Sequence, residues 1–191
     1  MSKASSTALS ASLLVASVLG LSALTACSNY REAGGDETIS PTREALALST
    51  VSDFKTADPS MSKFFGSAVA WAVFPDISKG AVIVGGAGGD GVVYNRAGTV
   101  VGYSTMRQLS VGAALGGQSY SQIIFFQDEA AFSRFRTNRT DFSANASAVI
   151  AKSGAAAAND YNQGIAVFAK PKAGVMAEAS LGGQKYEYIA K

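Results

Sequence analysis

The sequence has no histidine and a single cysteine, Cys27. Without imidazole there is no Ser-His-Asp triad, no histidine general base and no ordinary zinc site, because zinc draws on nitrogen and sulfur ligands. A lone thiol makes no intrachain disulfide, and acylation of that thiol would remove cysteine nucleophiles and thiolate metal sites together. Carboxylate-only, Ser-Lys or tyrosine chemistry survives, so an enzyme is disfavoured. Asp76, Asp90 and Glu178 have no spacing that marks a catalytic pair. An excess of one charge is missing too. Sixteen Lys and Arg face fourteen Asp and Glu, so the global basic field that phosphate-contacting nucleic-acid binders use is absent. Attraction to an anionic lipid surface must come from local clusters.

A membrane-length apolar run is also missing. The run beginning near Leu13 extends about a dozen residues, whereas roughly 20 are needed to cross a bilayer. It follows a polar start with Lys3 and closes on Leu24-Thr25-Ala26-Cys27. This pattern resembles a bacterial lipoprotein signal. It implies that residues 1–26 are a cleaved signal peptide and that Cys27, acylated as by palmitate, becomes the first residue of the mature chain. Removing 26 of the 191 residues leaves 165, enough for one domain with its own core. Ser28, in place of the aspartate associated with inner-membrane retention, points by resemblance to the outer membrane. The expected location is the bacterial cell envelope, lipid-anchored and facing the periplasm or the exterior.

Residues 27–40 are small and polar, with Gly34-Gly35 and Asp36-Glu37, and read as a flexible tether from Cys27. A single domain is expected over 41–191. Ser40-Pro41 marks a helix start, and the helix should run to about Thr56 with Ala47, Leu48, Val51 and Phe54 on one face. Asp58-Pro59 breaks it, and Ser60 is expected to cap a second short helix from Met61 to Ser67. Beyond Ser67, runs of Ala, Val, Ile and aromatics separated by glycine predict strands. These fall near 68–74, 80–86, 91–95, 100–105, 110–116 and 122–126, with a turn at Asn95–Gly98. Asp128 should cap a helix over Glu129–Arg136 whose Ala131, Phe132 and Phe135 form an apolar stripe. Closing strands are expected at 163–169, 173–181 and 185–189, while the alanine-rich stretch 143–158 fits helix, strand or loop. The pattern is α+β: a predominantly antiparallel β-sheet, curled or barrel-like, with a few flanking helices.

Several motifs match by letter and fail by context. Gly86-Ala87-Gly88-Gly89-Asp90-Gly91 fits G-x-G-x-x-G, yet Val92-Val93-Tyr94 continues as strand and supplies no helix N-terminus for a pyrophosphate. Ser52–Lys55 and Ser60–Lys63 each satisfy S-x-x-K without a K-T-G or S-D-N partner. No cofactor is called for. One internal echo carries more weight: Leu115-Gly116-Gly117-Gln118-Ser119-Tyr120 with Ile123 returns as Leu181-Gly182-Gly183-Gln184-Lys185-Tyr186 with Ile189. It marks either a duplicated strand corner or a pair of ligand-contact loops.

Ser78-Lys79-Gly80-Ala81-Val82-Ile83-Val84-Gly85-Gly86 and its continuation to Val92 resemble the signature of the SYLF domain, a K-G pair entering a strand that ends in a double glycine. Ala72-Val73-Phe74-Pro75 is similar to that family's A-[VIL]-x-P lead-in, residues 112–118 to its glycine-and-glutamine strand, and 174–183 to its closing motif. The resemblance spans Phe64 to Ile189. Glu178 stands where the family has glycine, and Gly182 where it has glutamate, so the family's glutamate has no counterpart at that position. The resemblance implies lipid binding without catalysis: phosphoinositides or other anionic lipids in eukaryotic members, and secreted lipoproteins among bacterial ones. It also implies membrane contact through an amphipathic segment at the start of the domain, which here corresponds to the two helices.

The candidate lipid contacts are Lys55, Lys63, Phe64 and Phe65, whose rings could enter a headgroup layer while ammonium groups meet phosphate, unless the phenylalanines are core. Lys79 of the K-G pair joins them, as do Arg134, Arg136 and Arg139, which either bind phosphate or form a solvated face. Two functions follow. One is a membrane-anchored, non-catalytic module for anionic phospholipid or phosphoinositide headgroups. The other is a structural or protein-interaction module with envelope protein partners.

Overall fold

Helix α1 (Ser40–Ala57) opens the part of the chain that the computed structural model describes, residues 40–81, 84–111, 118–140, 147–173, 179–180 and 183–191. Cys27 and the 27–40 tether before Ser40 lie outside the described residues, as do the double glycine 116–117, Glu178 and Gly182. After α1, Pro59–Met61 forms a single 3-10 turn that leads into α2 (Ser62–Ser67). Asp58, two residues before the expected Ser60, caps this 3-10 turn by accepting the Ser60 N–H, and α2 itself has no side-chain cap.

Among the described residues eight strands follow: β1 (Ala70–Ala81), β2 (Val84–Asn95), β3 (Val100–Val111), β4 (Gln118–Phe126), β5 (Ser147–Ile150), β6 (Ile165–Ala173), β7 (Ala179–Ser180) and β8 (Gln184–Ala190), with α3 (Glu129–Arg136) between β4 and β5. Their order across the sheet is β7-β5-β6-β4-β1-β2-β3-β8. Every pairing is antiparallel except β5 with β6. The architecture is therefore the expected α+β. The six short strands expected up to Phe126 are instead four long ones, because the glycines between them belong to β2 and do not interrupt it. A Cβ on Gly91 would stand 2.8 Å from ring carbons of Phe74, so only glycine lets that ring lie across the strand. Pro75 and Asp76 sit where the β1 registers shift, a bulge that tolerates a residue without an N–H.

The sheet curls strongly. Strands β4 and β8 are four places apart, about 19 Å in a flat sheet at the usual spacing. Yet Gln122 Nε2 of β4 lies 2.9 Å from the Tyr186 hydroxyl of β8. Phe135 of α3 likewise meets Phe126 of β4 at 4.8 Å and Tyr186 at 5.5 Å between ring centroids. The end strands β7 and β8 do not pair with each other, so among the described residues the curl stays open.

Each face has its own core. The concave face buries Ala70, Ala72, Phe74, Ile77, Val93, Met106, Ile124 and Phe126, and α3 plugs one end with Phe132 and Phe135. The convex face buries Trp71, Val73, Val92, Ile123, Phe125 and Phe168 beneath α1 and α2. Helix α1 crosses this face: Glu44 near its start bonds Tyr103 of β3 and Lys191, and Asp53 near its end pairs with Lys170 of β6. It buries Ala47, Thr50 and Phe54, while Leu48, expected on that stripe, is 60% exposed. Leu48 is about 100° around the helix from Ala47, too far to share a stripe centred on Ala47 and Phe54. Thr50 faces the sheet because its hydroxyl is satisfied by Leu46 O at 2.8 Å.

The stretch 143–158 is strand β5 followed by turns where it is described. Asp58 fastens those turns to the helices. Its buried carboxylate accepts Ser60 N–H and Oγ–H, Gly154 N–H and Ala156 N–H at 3.1, 2.6, 3.1 and 2.7 Å.

Candidate functional site

The antiparallel registers place Gln118, Lys79, Ala87, Gln108 and Gln184 opposite one another in one row across β4, β1, β2, β3 and β8. Residues directly opposite share a face, and Ala87 belongs to the concave core, so Lys79, Gln108 and Gln184 face the interior. It lies at the end of the curl away from α3, since Lys79 pairs with Gln118 while Ala70 pairs with Phe126 beside the helix. Among the described residues no helix covers this end, the mouth of the curl. The strand ends Ala81, Val84, Val111, Gln118, Ala173 and Gln184 meet there.

Just inside the mouth lies a buried polar network in place of an apolar layer. Gln122 Nε2 donates to the Tyr186 hydroxyl at 2.9 Å and to Gln184 Oε1 at 3.4 Å. Gln184 Nε2 donates to Gln108 Oε1 at 3.4 Å and to the Tyr120 hydroxyl at 3.3 Å, and the Tyr186 hydroxyl donates back to Gln184 Oε1. All five side chains are buried. Burial pushes the Tyr120 hydroxyl up to about 12, against the pull of its bond from Gln184, and burial drives Tyr186 further in the same direction. Both therefore remain neutral hydroxyls. Among the described residues, Gln122 Oε1 and Ser104 Oγ are buried on this face without a partner. An unmet buried polar atom of this kind costs about 1–3 kcal/mol.

The sequence-predicted residues fall in three separate places. Lys55, Lys63, Phe64 and Phe65 lie on the convex side with α1 and α2. Phe64 is fully buried, with its ring centroid 4.9 Å from Phe168, 5.0 Å from Tyr161 and 5.5 Å from Phe125. It is core, since its size and position make it the anchor of α2 to the sheet. Phe65 is half-buried against Trp71 and Phe125, with Lys55 Nζ 4.5 Å from its ring centroid. Lys63 Nζ donates to Asn159 O at 2.8 Å and lies 3.9 Å from Asp160.

Arg134, Arg136 and Arg139 lie at the end of α3, across the curl from the mouth. Arg134 donates to Gln163 O at 2.7 Å, and Arg136 pairs with Glu129 above the Phe132 ring. Arg139 is exposed. Lys79 alone sits at the mouth, half-buried and without an ion pair among the described residues.

The glutamine-tyrosine network itself went unread in the sequence, although the internal echo carried the signal. Gln184 and Tyr186 are two residues apart, as are Gln118 and Tyr120, and strand alternation puts both tyrosines inside. Ile123 correspondingly packs on the convex face and Ile189 is 49% exposed. The letter-perfect G-x-G-x-x-G lies within strand β2, with no helix beginning there.

Residues 107–188 match a protein family described as Ysc84, Las17-binding protein actin regulator. The chain is also similar to Beta cell expansion factor A of Aeromonas veronii, 30% identical over 146 residues, which are 74% of this chain and 56% of that protein. The chain thus spans about half the length of this curated relative. The family match takes in all five residues of the buried network and β8 as far as Tyr188.

Proposed function

Because the chain carries a domain of the SYLF (Ysc84) family, matched over residues 107–188, we propose that it is a non-catalytic lipid-binding module held in the bacterial envelope by an acyl group on Cys27. The observation that carries this reading is the outward side of α1. This helix buries one face and leaves Leu46 and Leu48 at 55% and 60% exposure. Leu48 and Lys55, seven residues apart, share one flank of the helix, and Lys55 rests on Phe65. That flank has the composition of a shallow membrane contact: an apolar side chain to insert, a ring at the boundary and an ammonium group for anionic phosphate. Burying one leucine contributes about 1.5–3 kcal/mol and one basic group near an anionic surface about 1 kcal/mol, too little to hold a protein alone. An acyl anchor supplies the remainder, since two weak signals together give stable attachment. Twelve residues lie between Cys27 and Ser40, thirteen steps that reach at most about 45 Å, so the anchor would keep α1 close to its bilayer. The outer membrane is the proposed location.

Co-sedimentation of the Cys27→Ser chain with phosphatidylglycerol and with phosphatidylcholine vesicles tests the domain's share. Stronger pelleting with the anionic vesicles, reduced in Leu48→Ser and Lys55→Ser, is expected; no pelleting with either lipid sinks the reading. Membrane fractionation of the same Cys27→Ser chain from cells tests the anchor separately. The family's description names a protein partner, which favours a protein-interaction module as the second reading. Recovery of an envelope protein by the purified chain, with no lipid retained, would move the assignment there.

A further inference from the structure

We propose that the mouth of the curled sheet is a binding site for a small hydroxylated anion, a phosphate ester bearing free hydroxyl groups. Two independent observations meet there. Lys79 faces the interior in the same row as Gln108 and Gln184, and no acidic side chain among the described residues neutralises it by an ion pair. A cation at the rim of a concave, mostly neutral surface attracts an anion, and its charge is screened less there than on an open face. Just inside, Gln122 is fully buried and its Oε1 accepts no hydrogen bond among the described residues, although its amide nitrogen donates to both Tyr186 and Gln184. An acceptor without a donor is met by a ligand hydroxyl.

The remaining network suits exchange with such a ligand. Three of its bonds are 3.3–3.4 Å long, at the weak end of the hydrogen-bonding range, so a ligand hydroxyl can replace one of them at small cost. Amides and neutral phenols both donate and accept, the chemistry needed to hold several hydroxyls in fixed orientation. Sites built this way discriminate strongly, because a ligand lacking the hydroxyl leaves a buried group unpaired. The anion could be a free phosphate ester or the exposed headgroup of a phospholipid. Only the headgroup form rests on the lipid-binding reading above. This site also lies on the opposite face of the sheet from α1, so the two can fail separately.

Isothermal titration of the purified protein with glycerol 3-phosphate, with glycerol as the uncharged control, tests the free form. Co-sedimentation with phosphatidylglycerol vesicles tests the headgroup form. Lys79→Gln and Gln122→Met are compared with the parent protein in both arms, and Trp71 fluorescence, which reports from the other face, verifies that each variant is folded. Saturable glycerol 3-phosphate binding, at least about tenfold weaker in Lys79→Gln as expected for losing one charge-assisted contact, supports the site with a free ligand. Vesicle binding that falls in Lys79→Gln, without glycerol 3-phosphate binding, supports it with a headgroup. Vesicle binding unchanged in Lys79→Gln, with no glycerol 3-phosphate binding, overturns the site and leaves lipid binding intact. Glycerol 3-phosphate binding without vesicle binding keeps the site and removes the lipid reading, and binding in neither arm overturns both. If Gln122→Met does not fold, the half-buried Lys79 still decides the outcome.

Discussion

Replacing Asp58 by asparagine should loosen the joint between the N-terminal helices and the turns after β5. The carboxylate holds Ser60 and Gly154 through Oδ1 and Ala156 through Oδ2. Asparagine can keep the Oδ1 contacts, but its amide NH2 then faces the buried Ala156 N–H across 2.7 Å, donor against donor. The loss of one charge-assisted bond, about 1.5–3 kcal/mol, and an orphaned buried N–H, about 1–3 kcal/mol, overlap in part and predict a net cost of about 3 kcal/mol. Equilibrium urea unfolding followed by Trp71, the only tryptophan and 8% exposed, reads this directly as a shifted midpoint at unchanged slope. Acid supplies a second check. Burial alone would push the Asp58 carboxyl up, but the hydrogen bonds from Ser60, Ala156 and Gly154 outweigh it and hold the group below its ordinary 3.8. A depressed carboxyl contributes stability that is present above 3.8 and lost as pH falls through the lower folded value. The gap between parent and Asp58→Asn should therefore be full at neutral pH and narrow below about pH 4. A gap under about 1 kcal/mol at neutral pH, the value of an ordinary neutral hydrogen bond, or one that does not narrow in acid, would refute the charged clasp.

Three further outcomes are expected. Gly91→Ala should lose about 1–3 kcal/mol, because its Cβ meets the Phe74 ring at 2.8 Å, while Gly88→Ala, whose Cβ stands 3.6 Å from Met106 O, should be nearly neutral; thermal melts of the pair check this. Phe64→Ala should cost about 3–5 kcal/mol by emptying the space against Phe125 and Phe168, and Phe65→Ala clearly less, as measured by chemical denaturation. Alkaline titration of tyrosine absorbance should show Tyr94 and Tyr120 ionising late, since burial pushes each up to about 12. Their neutral burial contributes stability below pH 10 that is lost as pH climbs toward 12, so alkaline unfolding should release the late tyrosines together.

The helices were legible because their signals are local. Ser40-Pro41, Asp58-Pro59 and Asp128 mark starts and stops through bonds reaching only a few residues, and the structure places α1 and α3 where those residues predict them. The strands were legible as strands, but their lengths were not. Glycine in a sequence reads as an interruption, whereas at Gly91 it is the space that the Phe74 ring fills. Phe64 and Phe65 are adjacent and chemically identical, and only packing separates a fully buried anchor from a half-exposed ring beneath Lys55.

The order of residues alone carries the absence of histidine chemistry, the α+β class and the single cysteine at the end of a short apolar run. Tertiary structure alone decided that Gln122 of β4 meets Gln184 and Tyr186 of β8, and that Lys79 shares their face. The reason is physical. Alternation fixes which side of a strand a residue takes, but strand order and curl, set by pairings as distant in the chain as Gly102 with Ala190, decide which distant strands face each other across the interior.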